Sequence, residues 1–314
     1  MTDTSPNAMH GDIRAVDSAR DLAASLPQRS PFREFLKALL VQPSGLIGFL
    51  VTLAICLAAT FAPWVALWNP LETHYMDALV GPNATYWLGT DELGRDVFSR
   101  IIYGARPSLS VAAIAVLSGG SVGIALGVMS GYYRGWLETV LMRLCDIAFA
   151  FPLIIIGVCT VIVLGPSNFS VGIAVGIGVA PTFARLARAK VLESMEREYV
   201  MAARGMGATD LFIMTRHILP NIAAPLIVQL ATAVYGAVII ASALDFLGMG
   251  AQPPAPSWGN MLQGGRLYLS QAPIYALAPG VALTVFVVGI NLFAAALTNA
   301  LDPRIRTEIL EGRL

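Results

Sequence analysis

Charge is what this sequence has least of. Of 314 residues, 20 are Lys or Arg and 20 are Asp or Glu, so 13% are charged against 56% hydrophobic, with a mean hydropathy of +0.68. A soluble domain carries about 25% charged residues, and a chain this apolar does not fold as an ordinary water-soluble domain. The formal net charge is zero, so no basic surplus invites nucleic acid and nothing suggests an acidic substrate. Lysine is confined to Lys37 and Lys190, neither of them preceded by glycine. A phosphate-binding loop needs a glycine-rich turn that runs into Gly-Lys-Ser/Thr, and that pattern is absent. His10, His74 and His217 are scattered, with no pair at the spacing that places two ligands on one helix face. Cys56, Cys145 and Cys159 lie in apolar runs without CxxC or Cys/His spacing, and they read as small packed side chains.

Long uncharged runs are what the sequence does have. A bilayer core about 30 Å thick takes roughly 20 apolar residues as helix. No charge occurs between Lys37 and Glu72, which predicts a span over about 45–65. Pro107 opens a second over 107–131. The stretch from Ile147 to Ala184 is too long for one span and is divided by the turn signal Gly165-Pro166-Ser167-Asn168. With the residues before it, it supplies spans over 138–164 and 169–188. The last two run over 222–246 and 275–300. The predicted fold class is all-α: a polytopic membrane protein of six transmembrane helices, with its transmembrane domain over 41–304.

Arginine sets the orientation. With the N-terminus inside, Arg33, Arg134, Arg185, Arg188, Arg197, Arg204, Arg216, Arg304, Arg306 and Arg313 are cytoplasmic, together with both lysines. Only Arg95, Arg100, Arg106 and Arg266 are then outside, and Asp91, Glu92 and Asp96 balance the first two. Both termini are therefore expected in the cytoplasm. Residues 1–40 read as a cytoplasmic tail, disordered in part, and 305–314 as a second tail. The first apolar run is too long for a cleaved leader.

The longest cytoplasmic loop between spans, 190–221, predicts two short helices around Gly205 to Ala208. Val191, Met195, Tyr199 and Ala202 share one face at helical spacing. Gly207 can take positive φ at a sharp reversal, Thr209 and Asp210 suit a helix start, and Pro220 ends the second helix. Such an elbow either docks into a cytosolic partner or lies as an amphipathic surface loop. On the other side, Asp91 and Glu92 suit the start of an amphipathic helix whose stripe is Leu93, Val97, Ile101 and Ile102. That segment is either a structural collar or a contact for a docked protein.

Three stretches carry a family resemblance. Met201-Ala-Ala-Arg-Gly-Met-Gly207 followed by Ile218-Leu-Pro220 resembles the EAA loop of bacterial ABC-importer permeases. The wider Glu198-Tyr-Val-x-Ala-Ala-Arg and Arg216-His-Ile-Leu-Pro-Asn221 look like the dipeptide, oligopeptide and nickel branch, in its second, C-type subunit. The run from Trp87 to Leu109, and Phe246 to Gly259 with Leu301-Asp-Pro-Arg304, are similar to the same branch. Two departures stand out: Met201 replaces the usual Glu, and His217 stands at the usual Ile position.

The resemblance implies the type I permease fold in a bacterial inner membrane. It also implies a non-enzymatic subunit that forms half of a path for peptides or a related small solute. Its coupling loop would be Met201, Ala202, Ala203, Arg204, Gly205, Gly207, Asp210, His217, Leu219 and Pro220. Its outer docking residues would be Asp91, Gly94, Arg95 and Asp96. The partners implied are a second homologous permease, two ABC ATPases that use ATP and Mg, an extracytoplasmic solute-binding protein and the lipid bilayer. This chain would bind no cofactor, metal or nucleic acid itself.

Charges at membrane depth are costly, and each needs a reason. Asp146 lies one turn beyond Arg143, close enough to pair at i,i+3, and reads as a structural or gating residue. Asp245 lies near the outer end of span five, and relatives carry Glu where this chain has Ala241, so Asp245 is expected to face the outer cavity as a relocated acid. Asn291 suits either helix packing or solute contact. Relatives also carry acids where Ala295 and Asn299 stand. An ion-coupled transporter would carry more paired mid-membrane charges and inverted repeats. A non-transporting assembly subunit would leave the Ala-Ala and Gly elbow without a purpose.

Overall fold

The computed structural model describes residues 31–302 together with Ile305, Arg306 and Ile309. Of the tails expected at 1–40 and 305–314, residues 1–30 and all but Ile305, Arg306 and Ile309 of the second lie outside the described residues. Residues 31–41, by contrast, form a helix, α1 (Pro31–Val41). It is followed by α2 (Pro43–Thr60) and a single turn, α3 (Ala62–Val65). A segment over 66–96, expected on the outer side and holding a single 3-10 turn at Tyr75–Asp77, then leads into α4 (Val97–Tyr133). Next come α5 (Gly135–Ala150), α6 (Leu153–Leu164) and α7 (Asn168–Met195). The hairpin expected in the cytoplasm is α8 (Glu198–Gly205) and α9 (Asp210–Phe212), the latter continuing as a π-helix over Ile213–Ile218. The chain ends with α10 (Ala223–Phe246), α11 (Trp258–Gly265) and α12 (Pro273–Leu301). Five of these helices are long and apolar enough to cross a membrane, and the bent pair α5–α6 completes a sixth span.

The helices α4 and α7 form the centre. Gly119, Gly123, Gly127 and Gly131 recur every four residues along α4 and lie against Gly176, Ala180, Ala184 and Val191 of α7. A Cβ at Gly123 would lie 2.7 Å from that of Phe183, and one at Gly131 would lie 2.9 Å from that of Val191. Between lipid-embedded helices no hydrophobic force drives association, so close backbone approach through small residues supplies the attraction. Around this pair, α10 packs on both helices, α12 joins α10 to α2, α2 also reaches α4, and α5–α6 pack chiefly on α7. The largest core joins Val111, Ala115, Val171, Val175, Leu244 and Phe286.

Two expectations about the helices need correction. The outer amphipathic helix does not begin at Asp91, and Pro107 does not open a span. Asp96 caps α4 by accepting from Ser99 N–H at 2.8 Å, and the helix then runs through Pro107 without ending. A membrane helix tolerates the missing N–H when neighbouring groups re-satisfy the backbone. The span expected as one helix over 138–164 is divided at Phe151-Pro152 by a 95° bend.

Candidate functional site

The α8–α9 hairpin has a buried base and an exposed tip. The break at Glu196-Arg197 resets the helical phase between α7 and α8. The face expected to join Val191, Met195, Tyr199 and Ala202 is therefore split. Val200 and Ala203 turn inward instead, packing with Ile213, Ile218, Ile222, Val191 and Tyr132. Gly207 adopts φ +79° at the reversal, a value that favours glycine. Thr209 caps α9 through Phe212 N–H, and Leu219 packs on the same core. His217 meets Phe212 edge-on at 5.4 Å, and its carbonyl accepts from Asn221 just past Pro220. The outward surface carries Met201, Met206, Leu211 and Phe212, with Met206 82% and Leu211 68% exposed, beside Ala202, Arg204 and Gly205.

This hairpin is fastened to the end of α4. Tyr132 donates to Asp210 at 2.6 Å, and the Arg204 guanidinium lies 5.6 Å from the Tyr132 ring centre. Nothing in the spacing of the sequence pointed to Tyr132, Met206, Leu211 or Phe212. The aromatic pair Tyr132-Tyr133 at the end of a span was the one available signal.

The outer residues Asp91, Gly94, Arg95 and Asp96 also come together, but as a buried knot. Asp91 accepts from the N–H groups of Leu93 and Arg95 and pairs with Arg95 at 2.6 Å and Arg100 at 3.3 Å. Arg95 also holds Glu92 at 2.9 Å. Arg100 donates to the Pro70 carbonyl at 2.9 Å and reaches that of Pro254. Gly94, at φ +75°, leaves no room for a Cβ against the His74 backbone. Arg95, Asp96 and Arg100 are thus sequestered from solvent. Each buried charge needs its partners, and the knot ties 66–96 to the top of α4 and to the loop before α11.

Asp146, Asp245 and Asn291 do not converge. Asp146 does not pair with Arg143 as expected. It pairs with Arg185 of α7 at 2.7 Å, both about half-exposed, and Arg188 pairs with Glu138 below them. Asp245 does not face a cavity. It is buried and accepts from Ala251 N–H, and Gly250 and Gly259 press so closely on it that neither position has room for a Cβ. Its carboxylate terminates α10 by holding the glycine- and proline-rich loop that follows. Asn291 lies exposed on α12. Among the described residues no group of three metal-ligating side chains converges.

Similarity to known proteins runs along the whole of this architecture. Residues 123–307 match the family of the binding-protein-dependent transport system inner membrane component, and residues 30–82 match the N-terminal TM domain of oligopeptide transport permease C. The dipeptide transport system permease protein DppC of Alkalihalophilus pseudofirmus is 41% identical over 278 residues, covering 88% of this chain and 91% of that protein. The glutathione transport system permease protein GsiD of Pectobacterium atrosepticum is 39% identical over 280 residues, with 89% and 93% covered. A chain of the inward-facing MetNI methionine ABC transporter shares the fold over 65% of this chain and 96% of its own, with a TM-score of 0.54 at 19% identity. These relatives are permease subunits, with ATP hydrolysis in separate subunits. The chain belongs to the inner-membrane permeases of binding-protein-dependent ABC importers, as a C-type subunit of the peptide and nickel branch.

Proposed function

We propose that this permease subunit pairs with a second, homologous permease to enclose a path for dipeptides or related small solutes with free termini. The names of the relatives, a dipeptide and a glutathione permease, support that solute class. An extracytoplasmic binding protein delivers the solute to the outer face. Two cytosolic ATPases bind the ATP and Mg and grip the paired hairpins, and this chain holds no cofactor. Both termini lie in the cytoplasm, on the side of Arg197, Arg204 and Arg216.

The observation that carries the coupling role is the apolar tip of Met201, Met206, Leu211 and Phe212 on a fully packed base. An exposed patch rimmed by polar residues marks a protein contact, and the buried base makes the tip a rigid lever. Met201 supplies an adaptable thioether where relatives carry Glu, so the contact there is apolar. Gly207→Pro, which removes an N–H that donates to Arg204 and cannot adopt positive φ, is expected to abolish co-purification of the ATPases. Met206→Asp, which leaves the base untouched, is expected to weaken it. Retention of the ATPases by both variants would overturn the assignment.

A further inference from the structure

Counting residues along α7 places the bend between α5 and α6 near mid-depth of the span. Leu153, at the start of α6, presses on Gly178 so closely that no Cβ would fit there. Gly178 lies ten residues into α7 from Asn168. At about 1.5 Å per residue that is roughly 15 Å down, half the depth of a hydrocarbon core about 30 Å thick. The bend leaves backbone groups open. Pro152 has no N–H to return to the Ala148 carbonyl, and no backbone bond from Leu153 or Ile154 reaches Phe149 or Ala150. Phe151 is 55% exposed, and Pro152 is exposed beside it. Irregular backbone at this depth persists only where protein covers it or water reaches it, because hydrocarbon offers no hydrogen bonds. This face of the subunit therefore does not meet lipid.

Directly below the bend, toward the cytoplasm, α5 and α7 frame a cavity of about 680 Å³ lined by Glu138, Arg143, Asp146, Arg185 and Arg188. Arg185 is held between Asp146 at 2.7 Å and the Phe149 ring at 4.4 Å, and Arg188 is held by Glu138. Arg143 has no ion-pair partner among the described residues. Three guanidinium groups face two carboxylates, so the cavity keeps a surplus positive charge while offering both signs. Arg143, Asp146 and Arg185 fall within the inner half of that depth, where ionisable side chains face the bundle interior or a water-filled space, and a guanidinium presents the fork that a carboxylate fits.

We propose that the α5–α6 bend lines the inner half of the translocation path, and that the cavity below it is an exit station for a zwitterionic cargo. Arg143 and Arg185 take the cargo's carboxylate, and Asp146 and Glu138 face its ammonium group. The assignment of cargo rests on the solute class proposed above, whereas the wetness of the bend does not.

The test uses the assembled complex, with both permeases, ATPases and binding protein, in proteoliposomes. In a background where Cys56, Cys145 and Cys159 are serine, Phe151→Cys is expected to react with a charged, membrane-impermeant thiosulfonate, and Leu50→Cys on α2 is not. Arg143→Gln and Arg185→Gln, in complexes that still co-purify intact, are expected to reduce import of radiolabelled dialanine about tenfold, the loss of one charge-assisted contact. A Phe151→Cys site as inert as Leu50→Cys, or arginine variants that import dialanine as the wild type does, would overturn the proposal. If the wild-type complex imports no dialanine, the proposed solute class fails and the carboxylate assignment falls with it. Labelling at position 151 then decides alone whether the bend meets water.

Discussion

Individual side chains act in this chain mainly by fastening backbone, and two of them are open to direct test. Tyr132 joins the end of α4 to Asp210. Tyr132→Phe removes one hydrogen bond, worth about 0.5–1.5 kcal/mol. Faster amide exchange over 205–213 is expected, and on the proposed coupling, less solute is imported per ATP hydrolysed. An unchanged ratio would assign the bond to stability alone. Asp245 is the second case. Asp245→Ala orphans the buried Ala251 N–H and opens a void between Gly250 and Gly259, at a cost of about 1–3 kcal/mol. A lower melting temperature and faster proteolysis over 248–257 are expected. The type of each residue was legible in the sequence, but its partner was not. Asp146 could be seen to need a cation, and Arg143 was the nearest along the chain. Arg185, 39 residues away, is the one the packing of α5 on α7 delivers.

At the scale of helices, the sequence was most informative where one physical demand dominates. Uncharged runs about 20 residues long have few stable forms in a bilayer other than a helix, so the positions of the spans could be read directly. Their ends could not. The bend at Phe151-Pro152 is hidden in an apolar run, because hydropathy is insensitive to direction. The start of α4 was misplaced because Asp91 and Glu92 look like first-turn acids, whereas Asp96 makes the capping bond. The α4–α7 seam offers a sharper test. Gly123→Leu drives a side chain into Ala180 and Phe183, and overpacking of this kind costs about 1–3 kcal/mol. Gly236, with nothing near its would-be Cβ, is expected to accept Ala without loss. The yield of folded protein in membranes, together with thermal inactivation of the purified complex, checks both. Equal tolerance at the two positions would mean that the seam is looser than its geometry implies.

For the molecule as a whole, the expected topology places the hairpin inside and the segment 66–96 outside. In intact cells an impermeant maleimide is expected to label Asn83→Cys but not Met206→Cys, and in inverted vesicles the pattern reverses. Labelling of Met206→Cys from outside would reverse the topology and remove the coupling role. One helix is tied to both the segment 66–96 and the hairpin. With 37 residues, α4 extends about 55 Å at roughly 1.5 Å per residue. It is anchored above by Arg100 to Pro70 and below by Tyr132 to Asp210. A stiff strut pinned at both extremities moves as a unit, so a tug on its cytoplasmic foot displaces its crown. On the proposed coupling, arrival of cargo outdoors and turnover of nucleotide indoors would inform each other through the stiffness of this one rod.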